Sequence, residues 1–112
     1  MVVKAERHWT DGRIYKGEWH QDGWPSGTGE LFVAGQDGGT FRGTWVNGKL
    51  EGEAEFLSTS GGGYVGQWSA GVKQGQGIQT WPNGMKFQGT FQHGAISQGT
   101  LRMPSGVVRR LV

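Results

Sequence analysis

The chain has 112 residues, enough for a single domain, and it contains 23 glycines but no cysteine. Without cysteine, disulfides and thiolate metal sites are excluded, and a formal net charge of +2 is too small to indicate a nucleic-acid partner. The 6 Trp, 2 Tyr and 5 Phe argue against the disorder that so much glycine would otherwise suggest, because disordered segments are poor in aromatic residues.

The first residues of the chain contain no long apolar run. Residues 1–7 read MVVKAER, which is too short and too charged for a signal peptide or a transmembrane helix. We therefore expect a cytoplasmic protein, and peripheral attachment to a membrane stays open.

One pattern recurs four times: an aromatic residue, a glycine two positions later and an aromatic residue after two more. The copies occupy residues 15–19, 41–45, 64–68 and 87–91, so they begin 26, 23 and 23 residues apart. Glycines, a Gly-x-Gly or a variant of it, and a turn such as Trp81-Pro82-Asn83-Gly84 follow the aromatic pattern. A fixed period of this length is typical of repeat architectures.

Side chains alternate with a period of two in both halves of each repeat, which predicts two strands per repeat and no helix. We expect three-residue hairpin loops such as residues 82–84, and a second kind of turn over residues 48–52 and its equivalents. Such short loops make neighbouring strands antiparallel. The predicted fold is all-β, a single-layer, twisted antiparallel meander of consecutive hairpins with about ten strands.

We expect this sheet to form one domain over residues 1–112. The predicted divisions are a half-repeat (1–12), four repeats (13–38, 39–61, 62–84 and 85–106) and a terminal strand (107–112).

The aromatic residues of the repeats are predicted to form one ribbon along a single face of the sheet. Its expected members are Tyr15, Trp19, Phe41, Trp45, Tyr64, Trp68, Trp81, Phe87 and Phe91. In the expected pairing Trp68 lies opposite Gly77, and residue 79 lies opposite Gly66. Each large ring then has an empty neighbour to lie across, which is a common reason for glycine in a strand.

The motif Tyr-x-Gly-x-Trp, followed by Gly, Gly-x-Gly and Trp-Pro-Asn-Gly at a period of 23 residues, resembles the MORN repeat. The resemblance covers nearly the whole chain, as four repeats and two half-repeats. The departures are Ala54 for the second glycine, Gln79 at a usually aromatic position, Phe91 for Trp, and insertions near Asp22 and Gly35. The resemblance implies a non-enzymatic scaffold that binds partner proteins, and some relatives self-associate or are linked to phospholipid membranes.

No catalytic constellation, metal site or cofactor site is predicted. His8, His20 and His93 fall in three different repeats, so their spacing does not bring them together and a surface position is favoured. Neither a Gly-x-Ser-x-Gly elbow nor a His-Glu-x-x-His motif occurs. We expect the protein not to be an enzyme.

Two further features are weighed and set aside. Glu53 and Glu55 share one face of a strand at a distance that suits paired carboxylates, yet a charged outer strand face is the simpler interpretation. The glycine-rich residues 58–63 lead into a strand, whereas phosphate-binding loops lead into a helix. A hairpin loop is therefore favoured there.

Four residues stand out as candidate contacts. Trp24 lies in a turn beside Pro25 and has no counterpart in the other repeats, so it either covers one end of the ribbon or contacts a ligand or partner. Arg102, Arg109 and Arg110 make the C-terminal end basic. They either protect the last strand from edge-to-edge pairing or bind an anionic partner or lipid headgroup.

We therefore predict a repeat scaffold for protein–protein interaction, with homodimer formation through an open edge or through the aromatic groove as one form of it. The alternatives are binding to anionic phospholipid through the basic C-terminal end, and capture of a small ligand such as a nucleotide or sugar in the aromatic groove. A nucleic-acid partner is not expected.

Overall fold

A computed structural model of the chain describes residues 2–21, 23–36 and 38–112. Met1, Asp22 and Asp37 lie outside these ranges. These three positions belong to the first half-repeat, to the two insertions and to the turn before residue 38. The predictions made for them therefore lie outside the described residues.

Within these ranges the chain forms ten β-strands and no helix. The strands are β1 (Val2–His8), β2 (Ile14–His20), β3 (Pro25–Val33), β4 (Gly39–Val46), β5 (Lys49–Ser58), β6 (Gly63–Ser69), β7 (Val72–Thr80), β8 (Lys86–Gln92), β9 (Ala95–Arg102) and β10 (Val108–Leu111). They pair in chain order in one antiparallel sheet. The prediction of an all-β meander is confirmed.

Three-residue hairpin loops join the strands at one end of the sheet, except between β3 and β4, where the connection from Val33 to Gly39 is longer. After β7, the amide of Trp81 donates to the carbonyl of Met85 over 3.0 Å, and the amide of Gly84 donates to the carbonyl of Trp81 over 3.0 Å. The loops before β2 and β10 repeat this pair of bonds. The turn chemistry of Pro-Asn-Gly and related sequences therefore gives the predicted hairpins.

The second kind of turn is shorter than predicted. It consists of the two residues Asn47 and Gly48, whose φ angles are 51° and 82°, and pairing resumes at once between Val46 and Lys49. Positive φ at both central positions is the mark of the two-residue turn whose twist matches that of its strands. Gly52, which we expected to close this turn, lies inside β5 instead.

The predicted pairing of Trp68 with Gly77 is wrong. Gly66 faces Gly77, and Trp68 faces Lys73. The cause is a bulge, because three residues of β7 separate Lys73 from Gly77 where β6 has only Gln67. The Gln67 side chain stabilises the bulge by accepting a hydrogen bond from the amide of Gln76 over 2.8 Å.

A continuous row of small residues crosses nine strands as a result of this register. Its members face one another in order: Ala5, Gly17, Gly29, Gly43, Ala54, Gly66, Gly77, Gly89 and Gly99. The row leaves a shallow channel in the sheet surface, and the rings of Tyr15, Tyr64 and Phe87 lie in it. A Cβ atom added to Gly66 would lie 2.7 Å from the Tyr64 Oη atom.

The core lies on one side of the sheet, which we call the aromatic face. Its buried side chains are those of Tyr15, Trp19, Trp45, Leu50, Ala54, Tyr64, Trp68, Phe87 and Phe91, with Phe41 and Trp81 partly buried. Edge-to-face contacts link the rings, for example Tyr64 with Phe91 at a centroid distance of 4.9 Å. The Trp45 indole donates to the carbonyl of Gly29 over 3.0 Å. The opposite side is called the outer face.

Candidate functional site

The histidines are not brought together. His8 is exposed and bonds to Glu6 over 2.8 Å, and exposed His93 occupies the turn between β8 and β9. Among the residues that the structure describes, no three His, Asp or Glu side chains are grouped as a metal ion would require. Nor do these residues form a helix long and apolar enough to cross a membrane.

The structure locates the two features that the sequence analysis set aside, the paired glutamates and the glycine-rich residues 58–63. Glu55 accepts a hydrogen bond from Arg42, so it is held in an ion pair on the outer face. The glycine-rich loop closes on itself, because the Ser58 and Ser60 hydroxyls lie 2.7 Å apart and the Ser58 amide donates to Gly62.

The outer face carries a ladder of alternating charge across four strands. Lys16, Glu30, Arg42 and Glu55 face one another in that order. The Arg42 guanidinium reaches Glu30 over 2.6 Å and Glu55 over 2.7 Å. The hydrogen bond to Glu30 raises the pKa of Arg42. Such exposed pairs add little stability, but they fix a charge pattern that an approaching molecule meets.

Apolar side chains interrupt the polar surface of the outer face. Ile14 pairs with Phe32, and Val65 pairs with Ile78, while Leu57 lies diagonally from Val65. Phe32, Leu57 and Val65 are 37%, 47% and 51% exposed. We call these five residues the outer patch. Our sequence analysis missed them, although their positions opposite the aromatic face follow from the period of two.

The three C-terminal arginines divide between the two faces. Arg102 faces Lys86, and Arg110 faces Thr100 on the same outer face. Arg109 instead faces Leu101 in the row of the aromatic face. Lys86, Arg102 and Arg110 therefore form a basic cluster that the sequence analysis only half identified, because Lys86 is distant in the chain.

Trp24 lies at the mouth of a pocket on the aromatic face and is 58% exposed. The pocket has a volume of about 530 Å³, and we call it the N-terminal pocket. Its lining residues include Arg7, Trp9, Arg13, Tyr15, Trp24, Leu31, Trp45 and Lys49. Sequence analysis singled out Trp24 alone, because the other residues converge only through the register of the sheet.

The pKa values of two side chains on the aromatic face, Tyr15 and Lys73, differ from their usual values. Burial raises the pKa of Tyr15 to about 12, and its hydroxyl donates to the carbonyl of Glu18 over 3.0 Å. Desolvation lowers the pKa of Lys73, whose Nζ atom lies 5.0 Å from the centroid of the Tyr64 ring and donates to the Gln79 Oε1 atom over 3.2 Å.

Comparison with known proteins identifies the repeats. Residues 41–63 and 64–86 match the family model described as MORN repeat. The chain is also 33% identical to Alsin of Rattus norvegicus and 32% identical to Alsin of Homo sapiens. Each alignment runs over 102 residues and covers 81% of this chain but 6% of Alsin, so the chain spans a small fraction of these curated relatives.

The resemblance noted from the sequence is thus confirmed. MORN repeats are non-catalytic scaffold repeats that commonly serve as modules for contact with proteins or membranes. Residues 41–86 are therefore two MORN repeats, and the antiparallel meander on either side continues their pattern.

Proposed function

We propose that this chain is a non-enzymatic scaffold that binds a protein partner through the outer patch. The observation that carries the proposal is the exposure of Phe32, Leu57 and Val65 on the face away from the core. These side chains contribute nothing to the aromatic core on the other face. Apolar groups of this size in a polar surround are typical of protein interaction sites.

The charge ladder supports the same surface. It crosses β2 to β5 in the row beside the outer patch, where Arg42 lies two residues along β4 from Thr40, the residue that separates Phe32 from Leu57. A partner with an apolar segment flanked by charges of both signs fits this arrangement. Apolar contact then supplies affinity and the charges supply orientation.

A second copy of the chain is one form of such a partner. Residues 56–112 contain no Asp or Glu, whereas all 9 acidic residues lie before them. Two copies in antiparallel orientation would place the acidic half of each against the basic half of the other, which favours association.

The double variant Phe32→Ser/Leu57→Ser tests the proposal. The matched control is Val107→Ser, because Val107 is 54% exposed but lies in the loop before β10. In affinity capture with quantitative mass spectrometry we expect the double variant to lose partners that the unaltered chain and the control retain. Light scattering over a concentration series shows whether the partner is a second copy. Identical captured sets and identical masses for all three proteins would rule out the outer patch.

The basic cluster favours a second candidate function, binding to an anionic lipid surface. Lys86, Arg102 and Arg110 lie on neighbouring strands of the outer face, in the half of the chain without acidic residues. Each basic residue near an anionic membrane contributes about 1 kcal/mol to binding. Arg109 on the opposite face provides a matched control.

Flotation with vesicles that contain or lack phosphatidylserine tests this candidate. We expect the unaltered chain and Arg109→Gln to float with the anionic vesicles, and Arg102→Gln/Arg110→Gln to float less. Absence of flotation by the unaltered chain, or equal flotation of both variants, would contradict it.

A further inference from the structure

The N-terminal pocket is distinct from the outer patch, because it opens on the aromatic face. Its volume of about 530 Å³ lies within the range of pockets that hold small molecules. Buried Tyr15 and Trp45 contact each other edge to face at a centroid distance of 5.7 Å, and they form its floor. The floor is therefore apolar and fixed by the core.

The walls of the pocket add exposed aromatic surface. Trp9 stands on one side, with its ring centroid 6.2 Å from that of Trp19. Trp24 stands on the other side, where a Cβ atom added to Gly48 would lie 3.4 Å from its Cε3 atom. The two indoles thus stand at opposite ends of the pocket, and a planar group beside Trp24 would gain ring contacts.

Backbone hydrogen bonds hold the segment that carries Trp24. The amide of His20 donates to the carbonyl of Trp24 over 2.9 Å, and the amide of Gly48 donates to the carbonyl of Pro25 over 2.9 Å. This segment is therefore tied to the strand before it and to the neighbouring hairpin. An exposed tryptophan on a fixed backbone loses little further entropy when a ligand binds.

The pocket also carries positive charge. Arg7 and Arg13 both lie over the Trp9 ring, with their Cζ atoms 5.3 Å and 4.8 Å from its centroid. Among the residues that the structure describes, no Asp or Glu lines the pocket. Arg13 is partly neutralised, since its Nε atom lies 2.9 Å from Asp11. The two guanidinium groups at this end of the pocket favour an anion beside them.

We propose that the N-terminal pocket binds a small molecule in which a planar aromatic ring carries an anionic group, either phosphate, sulfonate or carboxylate. The ring lies against Trp24 over the floor of Tyr15 and Trp45, and the anionic group faces Arg7 and Arg13. A nucleotide and a simpler aryl phosphate share this chemistry, and the experiment separates them.

The first probe is 1-anilinonaphthalene-8-sulfonate, an aromatic sulfonate whose fluorescence rises in apolar sites. Its neutral counterpart, N-phenyl-1-naphthylamine, has the same rings without the charge. We expect saturable binding of one sulfonate molecule per chain and binding of the neutral compound that is weaker by about tenfold, since one well-placed charge contact is of that order.

Two variants and two controls locate the site. Trp24→Ser removes one wall, and we expect it to weaken binding about tenfold, as truncation of an exposed aromatic contact commonly does. Arg7→Gln removes one charge from an exposed position and is expected to weaken binding by about threefold to tenfold and to reduce its salt dependence. The matched controls on the outer face, Phe32→Ser and Lys86→Gln, should bind as the unaltered chain does.

Competition experiments show whether the pocket prefers a nucleotide or any aryl anion. Displacement of the probe by AMP but not by phenyl phosphate or adenosine points to a nucleotide, and displacement by both phosphates points to a general aryl anion site. The proposal is overturned if the probe fails to bind at millimolar concentration, if the neutral compound binds equally well, or if Phe32→Ser weakens binding while Trp24→Ser does not. Because Trp24 and Arg7 are both exposed, the Arg7→Gln result stands even if Trp24→Ser unfolds.

Discussion

The hairpins β4–β5 and β6–β7 share one pattern but differ at one small position. In β6–β7, Gly66 faces Gly77, and the Tyr64 ring lies buried over the pair. In β4–β5, Gly43 faces Ala54, and the Phe41 ring is only partly buried. The methyl group of Ala54 thus occurs in the hairpin whose ring, that of Phe41, lies outside the row of small residues.

The displaced ring finds another contact. Phe41 packs on Phe56 with a centroid distance of 4.5 Å and an interplanar angle of 35°. Tyr64 instead donates its hydroxyl to the carbonyl of Gln67 over 3.0 Å, as Tyr15 does to Glu18. Phe41 has no hydroxyl that needs such a carbonyl. The Phe87 ring, which also lacks a hydroxyl, lies buried over the pair Gly89 and Gly99, so the position of the ring follows the size of the residues in the row.

The largest effect is expected from Gly77→Ala, which would impose the β4–β5 arrangement on β6–β7. The new Cβ atom would collide with the Tyr64 Oη atom. We expect the free energy of unfolding to fall by about 3 kcal/mol, the upper range for overpacking, in urea denaturation. In a Tyr64→Leu background the ring is absent, so the same substitution should cost less than about 1 kcal/mol. A full cost in that background would show that the Tyr64 ring is not the obstacle.

The opposite exchange should convert β4–β5 into the arrangement of β6–β7. Ala54→Gly opens the channel, and Phe41→Tyr supplies a hydroxyl that can donate to the carbonyl of Thr44. Each change alone should destabilise by about 0.5–1 kcal/mol, through lost strand entropy or an unpaired hydroxyl. In a double-mutant cycle we expect favourable coupling of about 1 kcal/mol. Strict additivity would mean that ring and channel act independently.

The residues opposite the second tryptophan of each hairpin offer a third test. Trp45 faces buried Leu50, whereas Trp68 faces Lys73, whose pKa is lowered by desolvation. Because the folded state loses this proton at lower pH than the unfolded state, stability should rise as pH increases towards the unfolded value of about 10.4.

Lys73→Leu should therefore raise the free energy of unfolding at neutral pH by about 1 kcal/mol and remove its rise with pH. Denaturation curves at several pH values measure both effects. Exposed Lys86→Leu is the control and should leave the pH dependence unchanged. A loss of stability in Lys73→Leu would mean that its contacts with the Tyr64 and Phe91 rings outweigh desolvation.

The smallest effect is expected on the outer face, where the two hairpins carry Arg42 and Val65 at equivalent positions. Arg42→Gln removes both ion pairs of the charge ladder, yet these groups are exposed, and the cost should stay below about 1 kcal/mol. Thermal unfolding in 1 M salt should abolish the difference. A cost that persists in salt would point to hydrogen-bond geometry as its source.

Much of the fold could be predicted from the sequence, because the spacing of the glycine and aromatic residues indicates both the period of the strands and the types of turn. The three-residue loops at Gly84 and its equivalents followed directly. The pairing of Trp68 did not, because the bulge at residues 74–76 depends on a side chain of the neighbouring strand, Gln67, which accepts the freed amide. Local pattern does not contain such contacts across strands.

The interaction surfaces were less accessible to sequence reasoning for the same reason. Trp24 stood out because it has no counterpart in other repeats, but Arg7 and Lys49 join it in the pocket only through pairing across several strands. Arg109 appeared equivalent to Arg110, yet adjacent residues of a strand point to opposite faces. A charge count along the chain cannot separate them.

Each strand of this sheet pairs only with the strands before and after it in the chain, and ring contacts reach the next strand but one. Loop closure therefore involves short segments throughout, and we expect rapid folding that begins at any sufficiently stable hairpin and spreads to its neighbours. Damage to one hairpin should accordingly stay local, so that hydrogen exchange in a weakened variant rises near the altered strand and remains slow at the far end of the ladder.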